Sequence, residues 1–192
     1  MKIQTIKVIF MMFAVAMAGL MGCTTNKRQT SDSSSDKPKY LVCYFSATGT
    51  TAKAAQRIAD LTGGELFEIK PAELYTEADL DWRDTLSRSY VEMHNLSYRP
   101  SLADSVPDMT NYDIVFIGYP NWWNTHPTVI NTFIETANLK GKTIAPFMTS
   151  GGSNITNSEE RLREQYPGLT FSKGLLMNDV DDREVKEWVD NL

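Results

Sequence analysis

Between residue 40 and the C-terminus, short apolar runs alternate with segments of helical periodicity, and most of the runs end in turns rich in Ser, Thr, Gly, Pro or Asn. Such alternation leaves few folds open. Parallel strands need a long crossover, usually a helix, so repeated strand and helix signals demand a parallel sheet covered on both faces. Residues 40–45 (YLVCYF) form the first run, and Ala52, Ala55, Ile58 and Ala59 then repeat at helical spacing up to Gly63 and Gly64. Residues 65–70 (ELFEIK) suit a second strand and residues 112–118 (YDIVFIG) a third. Pro127 opens a helix in which Val129, Ile130, Phe133, Ile134 and Ala137 make one apolar stripe, ending before Gly141. Residues 143–149 (TIAPFMT) read as a fourth strand, 157–166 as a short helix and 169–176 as a fifth strand, while Val185, Trp188, Val189 and Leu192 mark a last helix.

Five strands alternating with helices predict a doubly wound three-layer α/β sandwich with right-handed crossovers. Ligands of that architecture bind beyond the carboxyl ends of the strands, so those ends are where chemistry is expected. Pro146 is a local conflict, because a proline inside a central strand removes a ladder donor, and an irregularity is expected there. Residues 71–107, which hold Tyr75, Trp82, Tyr90, His94 and Tyr98, run longer than a plain crossover helix requires. Their spacing leaves open whether they shape a ligand's edge, present a partner surface or are simply a helix with loops.

The N-terminus reads differently. Residues 1–22 carry a short basic start and an apolar run from Val8 to Gly22, shorter than the roughly 20 residues a membrane-spanning helix needs, so they suit a secretory signal. Leu20-Met21-Gly22-Cys23 resembles a bacterial lipobox, which implies cleavage before Cys23 and a diacylglycerol on its thiol. An ordinary signal with a chance cysteine is the plainer alternative. The polar, Ser-rich residues 24–39 cannot offset the entropy of ordering, so 23–39 are expected to form a lipidated tether reaching on the order of 20 Å. The expected location is the bacterial envelope, outside the cytoplasm, with the membrane met through the lipid alone.

The chain of 192 residues, 42% apolar, suits a single globular domain, here residues 40–192. From Tyr40 onward 13 basic side chains face 22 acidic ones, a field that repels nucleic acid and attracts basic partner surfaces. Two cysteines and two histidines cannot build a disulfide framework or a structural zinc site, and no metal is expected. Cys43, set among apolar neighbours in the first strand, reads as buried and inert.

Three loops at strand ends carry the chemistry. Ser46-Ala47-Thr48-Gly49-Thr50-Thr51 opens a helix with four hydroxyls besides the backbone amides, a cradle suited to one terminal phosphate. It has neither the lysine of a Walker loop nor the GxGxxG of dinucleotide enzymes, and plain helix capping would explain it equally well. After the third strand, Pro120-Asn121-Trp122-Trp123-Asn124 sets two tryptophans side by side in a turn-forming loop, which a flat aromatic ligand would explain and packing over the sheet edge would too. After the fourth, Ser150-Gly151-Gly152 allows a ligand to approach backbone closely.

Together, YFSATGTTAKAA, GYPNWWNTHPTVINTFIE and GKTIAPFMTSGG, in this order at three strand ends, resemble the flavodoxin-like proteins, in particular a bacterial branch with paired tryptophans in the second loop. The resemblance covers nearly all of residues 40–192. It implies a flavodoxin fold with sheet order 2-1-3-4-5 and tightly, noncovalently bound FMN. By carry-over, Ser46, Thr48, Thr50 and Thr51, with nearby N–H groups of the loop that includes Ala47 and Gly49, hold the phosphate. Pro120, Asn121, Trp122, Trp123 and Asn124, with Ser150, Gly151 and Gly152, enclose the isoalloxazine. Similar sequences usually place Gly after the tryptophan pair and Ala before the proline, where this chain has Asn124 and His126. Asn tolerates positive φ, so the Trp123-Asn124 peptide is still expected to be able to turn its carbonyl toward flavin N5. His126 reads as an exposed histidine at a helix start, with a pH-sensitive neighbour of the flavin as the alternative. The expected function is an electron carrier whose acidic surface meets a basic redox partner. The alternatives are an FMN-dependent quinone or nitro reductase and a binding module that has lost its flavin.

Overall fold

The computed structural model describes residues 37–192, so the signal segment, Cys23 and most of the tether lie outside the described residues. Strands β1 (Tyr40–Tyr44), β2 (Glu65–Glu68), β3 (Ile114–Pro120), β4 (Thr143–Thr149), β5 (Thr170–Phe171) and β6 (Leu175–Leu176) pair in parallel. Their order is β2-β1-β3-β4-β5, with β6 beside β4, which matches the expected 2-1-3-4-5. Helices α1 (Thr50–Thr62), α2 (Arg88–Met93), α3 (Thr128–Thr136), α4 (Thr156–Gln165) and α5 (Asp182–Asp190) complete the chain. Residues 71–107 contain a 3-10 turn, Ala78–Leu80, and only the short α2.

The strict alternation of side chains along a strand divides the core into two layers. Leu41, Cys43, Val115, Ile117, Tyr119, Ile144 and Met148 pack with Val129, Ile130, Phe133 and Ile134 of α3 and Leu162 of α4. Val42, Phe116, Ala145 and Phe147 face the other way, against Ala54, Ala55 and Ile58 of α1 and Val185 of α5. Each fully buried large side chain contributes about 1.5–3 kcal/mol, so the sandwich is stabilised from both faces of the sheet. Cys43 is among these side chains, and burial pushes its thiol well up, consistent with an inert residue.

Two expectations need correction. The third strand runs two residues past Gly118, since Tyr119 and Pro120 pair with Met148 and Thr149, and the loop begins at Asn121. The fifth strand is not continuous, and the irregularity expected at Pro146 lies on this neighbour instead. β4 runs unbroken through Pro146, which pairs with Ile117. The carbonyls of Ile144 and Met148 accept from Ser172 and Met177 on the outer side, so the alternating position of Pro146 turns its missing N–H toward the same outer neighbour. There β5 stops and β6 starts, with Ser172, Lys173 and Gly174 spanning the gap. Gly174 lies so close that a Cβ would come within 2.9 Å of the Pro146 carbonyl oxygen and 2.8 Å of Ile155 Cδ1. A proline tolerated beside a broken outer strand removes no ladder bond.

Candidate functional site

All three loops marked in the sequence meet at the carboxyl ends of β1, β3 and β4, around a cavity of about 710 Å³. Ser46, Ala47, Thr48 and Thr51 line it from the first loop; Pro120, Asn121, Trp122, Trp123 and Asn124 from the second; Gly151 and Gly152 from the third. A neighbouring lobe of about 580 Å³ shares Thr48, Pro120, Asn121 and Gly151 and adds Thr50, Ser150, Lys53 and Arg57. Gly49 lines neither lobe.

The first loop turns through Gly49, whose φ of 86° favours glycine, and the Gly49 N–H donates to Ser46 Oγ at 3.1 Å. No side chain caps α1, as none caps α3 or α4, whereas Ser87 and Asp181 cap α2 and α5. Capping therefore does not account for the hydroxyls, and the first amides of α1 stay without intrahelical partners. Thr51 is buried, its hydroxyl bonded to Thr149 Oγ1 at 2.8 Å across the sheet, while Thr48 and Thr50 are exposed and face each other at 3.5 Å. Lys53 and Arg57 bring cations to the neighbouring lobe that the loop itself lacks, although Arg57 also pairs with Asp182 Oδ1 at 2.6 Å and donates to the Val180 carbonyl at 2.8 Å. They lie four residues apart on α1, so their i+4 spacing was the signal.

In the second loop, Trp122 and Thr125 exchange backbone hydrogen bonds of 2.9 and 3.0 Å, with Trp123 (φ 46°) and Asn124 (φ 61°) between them. Two central residues at positive φ make a type I′ turn. Asn124 takes the left-handed conformation its side chain tolerates, and Trp123 does so at a strain cost on the order of 1–3 kcal/mol. Asn157 of α4 holds the turn, its Nδ2 donating to the Asn124 carbonyl at 2.7 Å.

Packing fixes both indoles. Trp122 meets Phe45 and Tyr75 edge to face, with centroids 5.5 and 5.2 Å apart. Tyr75 is held in turn, since its hydroxyl donates to buried Glu92, which also accepts from Arg88 Nε at 2.6 Å. Burial and this carboxylate push the Tyr75 phenol well up. Trp123 lies edge-on to Tyr90 and His94, which stack on each other with centroids 3.8 Å apart. Residues 71–107 therefore brace both tryptophans through α2 and also bring Leu80, Trp82 and Ser89 into the cavity, three lining residues that periodicity does not reveal.

His126 is buried, at 3% exposure, and not the exposed helix-start residue the sequence suggests. Its Nδ1 lies 3.2 Å from Ser158 Oγ and 3.3 Å from Thr125 Oγ1, and Ser158 Oγ donates to the Tyr119 hydroxyl at 3.0 Å. Burial pushes its pKa down to about 4. The unfolded chain takes up this proton near pH 6.5 and the folded protein only near 4, so the contribution is complete above about 6.5 and is lost as pH falls through that interval. At about pH 4.5 the loss should reach roughly 2.5 kcal/mol. Urea unfolding at neutral and acid pH should show a steeper decline for the native sequence than for His126→Gln; equal declines would mean the imidazole is protonated in the fold.

Among the described residues three buried side-chain atoms have no partner, Asn121 Oδ1, Thr128 Oγ1 and Thr132 Oγ1, and of these residues only Asn121 borders the cavity and its neighbouring lobe. A buried acceptor left unpaired costs about 1–3 kcal/mol, so a ligand donor there would relieve it. With the uncapped helix start and the flat aromatic walls, the residues present fit a mononucleotide bearing one phosphate and a planar ring.

Such a cavity, outside the carboxyl ends of a sheet ordered 2-1-3-4-5, defines a mononucleotide-binding protein of the doubly wound class. Within that class the chain belongs to the flavodoxin family, which it matches over residues 39–192. A candidate flavoprotein of Bacteroides uniformis ATCC 8492 is 49% identical, with a TM-score of 0.77 over 80% of this chain and 99% of that one. Another, of Bacteroides eggerthii DSM 20697, is 50% identical, with a TM-score of 0.79 over 81% and 98%. A flavoprotein of Lactobacillus acidophilus NCFM, solved in complex with FMN, is 27% identical, with a TM-score of 0.63 over 79% and 99%. No curated protein matches the chain significantly.

Proposed function

We propose that the protein is an electron carrier that works through noncovalently bound FMN at the bacterial envelope. FMN is its cofactor. The observation that carries this reading is the unpartnered Asn121 Oδ1 between an uncapped helix start and two braced indoles. Ser46, Thr48, Thr50, Thr51 and the first amides of α1 hold the phosphate; Asn121 accepts a hydrogen bond from the bound group; Trp122, Trp123, Gly151 and Gly152 enclose the ring. The flavin, once bound, supplies the uptake and release of electrons, and the protein sets its surroundings. In the same proposal Cys23 carries the lipid, residues 24–39 are the tether, and the acidic domain meets a partner with a basic docking surface, a complementarity that raises encounter rate more than affinity.

The strained turn favours a second reading, an FMN-dependent reductase that moves electrons in pairs. Turning over the Trp123-Asn124 peptide would convert the type I′ turn to type II′, whose first central position belongs to Gly. Trp123 occupies that position, so the carbonyl movement expected of a carrier is opposed by Trp123 rather than by Asn124. Purified residues 40–192 should be yellow and should release FMN and not FAD, and reductive titration then separates the readings. Two resolved steps support the carrier and a single step the reductase. A colourless protein that cannot be reconstituted with FMN refutes both.

A further inference from the structure

Three of the chain's four tryptophans line one cavity: Trp82, Trp122 and Trp123. A single planar ring has only two faces to cover. Trp122 and Trp123 are braced by aromatic neighbours, whereas Trp82 is 63% exposed at the mouth, with the Arg83 guanidinium 4.8 Å from its ring centroid. Leu80, half-buried, lines the cavity beside it. Arg83 sits against the Trp82 ring, and the indole, still 63% exposed, has apolar surface left to offer a ligand in the cavity it lines. The segment that carries it is strongly acidic: between residues 71 and 86, Glu73, Glu77, Asp79, Asp81 and Asp84 face a lone cation, Arg83. Asp79 accepts from the Thr76 amide at 2.8 Å and from its hydroxyl at 2.7 Å, contacts that favour the ionised carboxylate.

We infer that Trp82 and Leu80 form a second subsite in the FMN cavity, one that receives a neutral or cationic planar aromatic compound against the flavin. The inference rests on the FMN reading above. Its chemistry follows from two features that act separately. Indole and leucine side chains offer flat apolar contact to a ring of any type, and the five carboxylates discriminate by charge, repelling sulfonates, carboxylates and the pyrophosphate of a nicotinamide dinucleotide. Residues 71–107 then do more than cross over the sheet, because they brace Trp122 and Trp123 and also bring a less constrained indole to the same cavity.

The test uses the FMN-loaded protein and 2-methyl-1,4-naphthoquinone as the neutral probe, followed by the difference spectrum of the oxidised flavin. The native sequence should bind it saturably, and Trp82→Ala should weaken that binding at least tenfold while the FMN dissociation constant stays within twofold. The same ring bearing a sulfonate should bind at least tenfold more weakly to the native sequence, and the gap should narrow in Asp79→Asn/Asp81→Asn. Trp82 is exposed, so its truncation does not threaten the fold, and the quinone titrations are run with the variant saturated in FMN so that a change in cofactor affinity does not register as a change in quinone binding. If the FMN-loaded protein shows no saturable binding, or if Trp82→Ala binds the quinone as the native sequence does, the subsite is refuted and the FMN reading stands. A chain that takes up no FMN overturns both.

Discussion

Replacing Thr51 by Val is expected to weaken FMN binding roughly tenfold to a hundredfold, with the fold retained. The substitution keeps the β-branched shape and removes one buried hydroxyl, and a hydrogen bond to a charged phosphate contributes about 1.5–3 kcal/mol. Thr51 stands in the first turn of α1, where the helix has no side-chain cap and no acidic residue. Its hydroxyl is oriented by Thr149 Oγ1 at 2.8 Å, a partner from β4 that no motif reveals. Thr149→Val should therefore weaken FMN as well, by less, and the double variant should lose less than the two single losses combined, as coupled neighbours do. Fluorescence titration of the apoprotein measures all three. Unchanged affinity in Thr51→Val would place the phosphate elsewhere, with Lys53 and Arg57 in the neighbouring lobe as the groups to examine.

A larger effect, on stability, is expected at Gly118. This glycine pairs with Tyr44 on one side and Phe147 on the other. A Cβ there would lie 2.0 Å from Cζ of Phe147 and 2.2 and 2.6 Å from two further ring carbons. The ring cannot swing away, because it is fully buried with Val42, Ala55, Ile58 and Phe116. Gly118→Ala should therefore cost about 3 kcal/mol or more, at the upper end of overpacking penalties, and lower Tm by roughly 6–12 °C for a domain of this size. Phe147→Leu, destabilising alone, should restore part of that loss when combined with Gly118→Ala. Additive losses in the double variant would show that the ring is not the obstacle.

The alternation of apolar runs and helical stripes is local in sequence, which is why the succession of strands and helices was legible before any coordinates, whereas the order 2-1-3-4-5 rested on the resemblance carried by the three loops. Asn124 at positive φ was legible too, from the side chain's tolerance of that conformation. What was hidden depends on partners far along the chain. Thr125-His126-Pro127 looks like an exposed helix start until Ser158, 32 residues away, is seen against the imidazole. Glu92 reads as an ordinary surface acid until Tyr75 and Arg88 converge on it. The break between β5 and β6 had a faint signal, the polar Ser172-Lys173-Gly174 inside an apolar run, but its cause lies across the sheet at Pro146. Trp82 and Leu80 follow no period at all, since an irregular crossover places them.

The two outer borders of the sheet have a consequence for how the protein behaves at high concentration. Open strand edges invite a second chain to add on, and from there to assemble into fibrils. Here one border is β2, four residues bearing Glu65 and Glu68, and beyond it the chain pairs with itself where Pro71 bridges Leu102. The other border is two fragments of two residues each, β5 and β6, parted by the Ser172-Lys173-Gly174 step that Pro146 and Gly174 enforce. Neither offers a flat run on which another strand could lie, so the proline beside which the outer strand breaks also protects the protein from polymerising along that border.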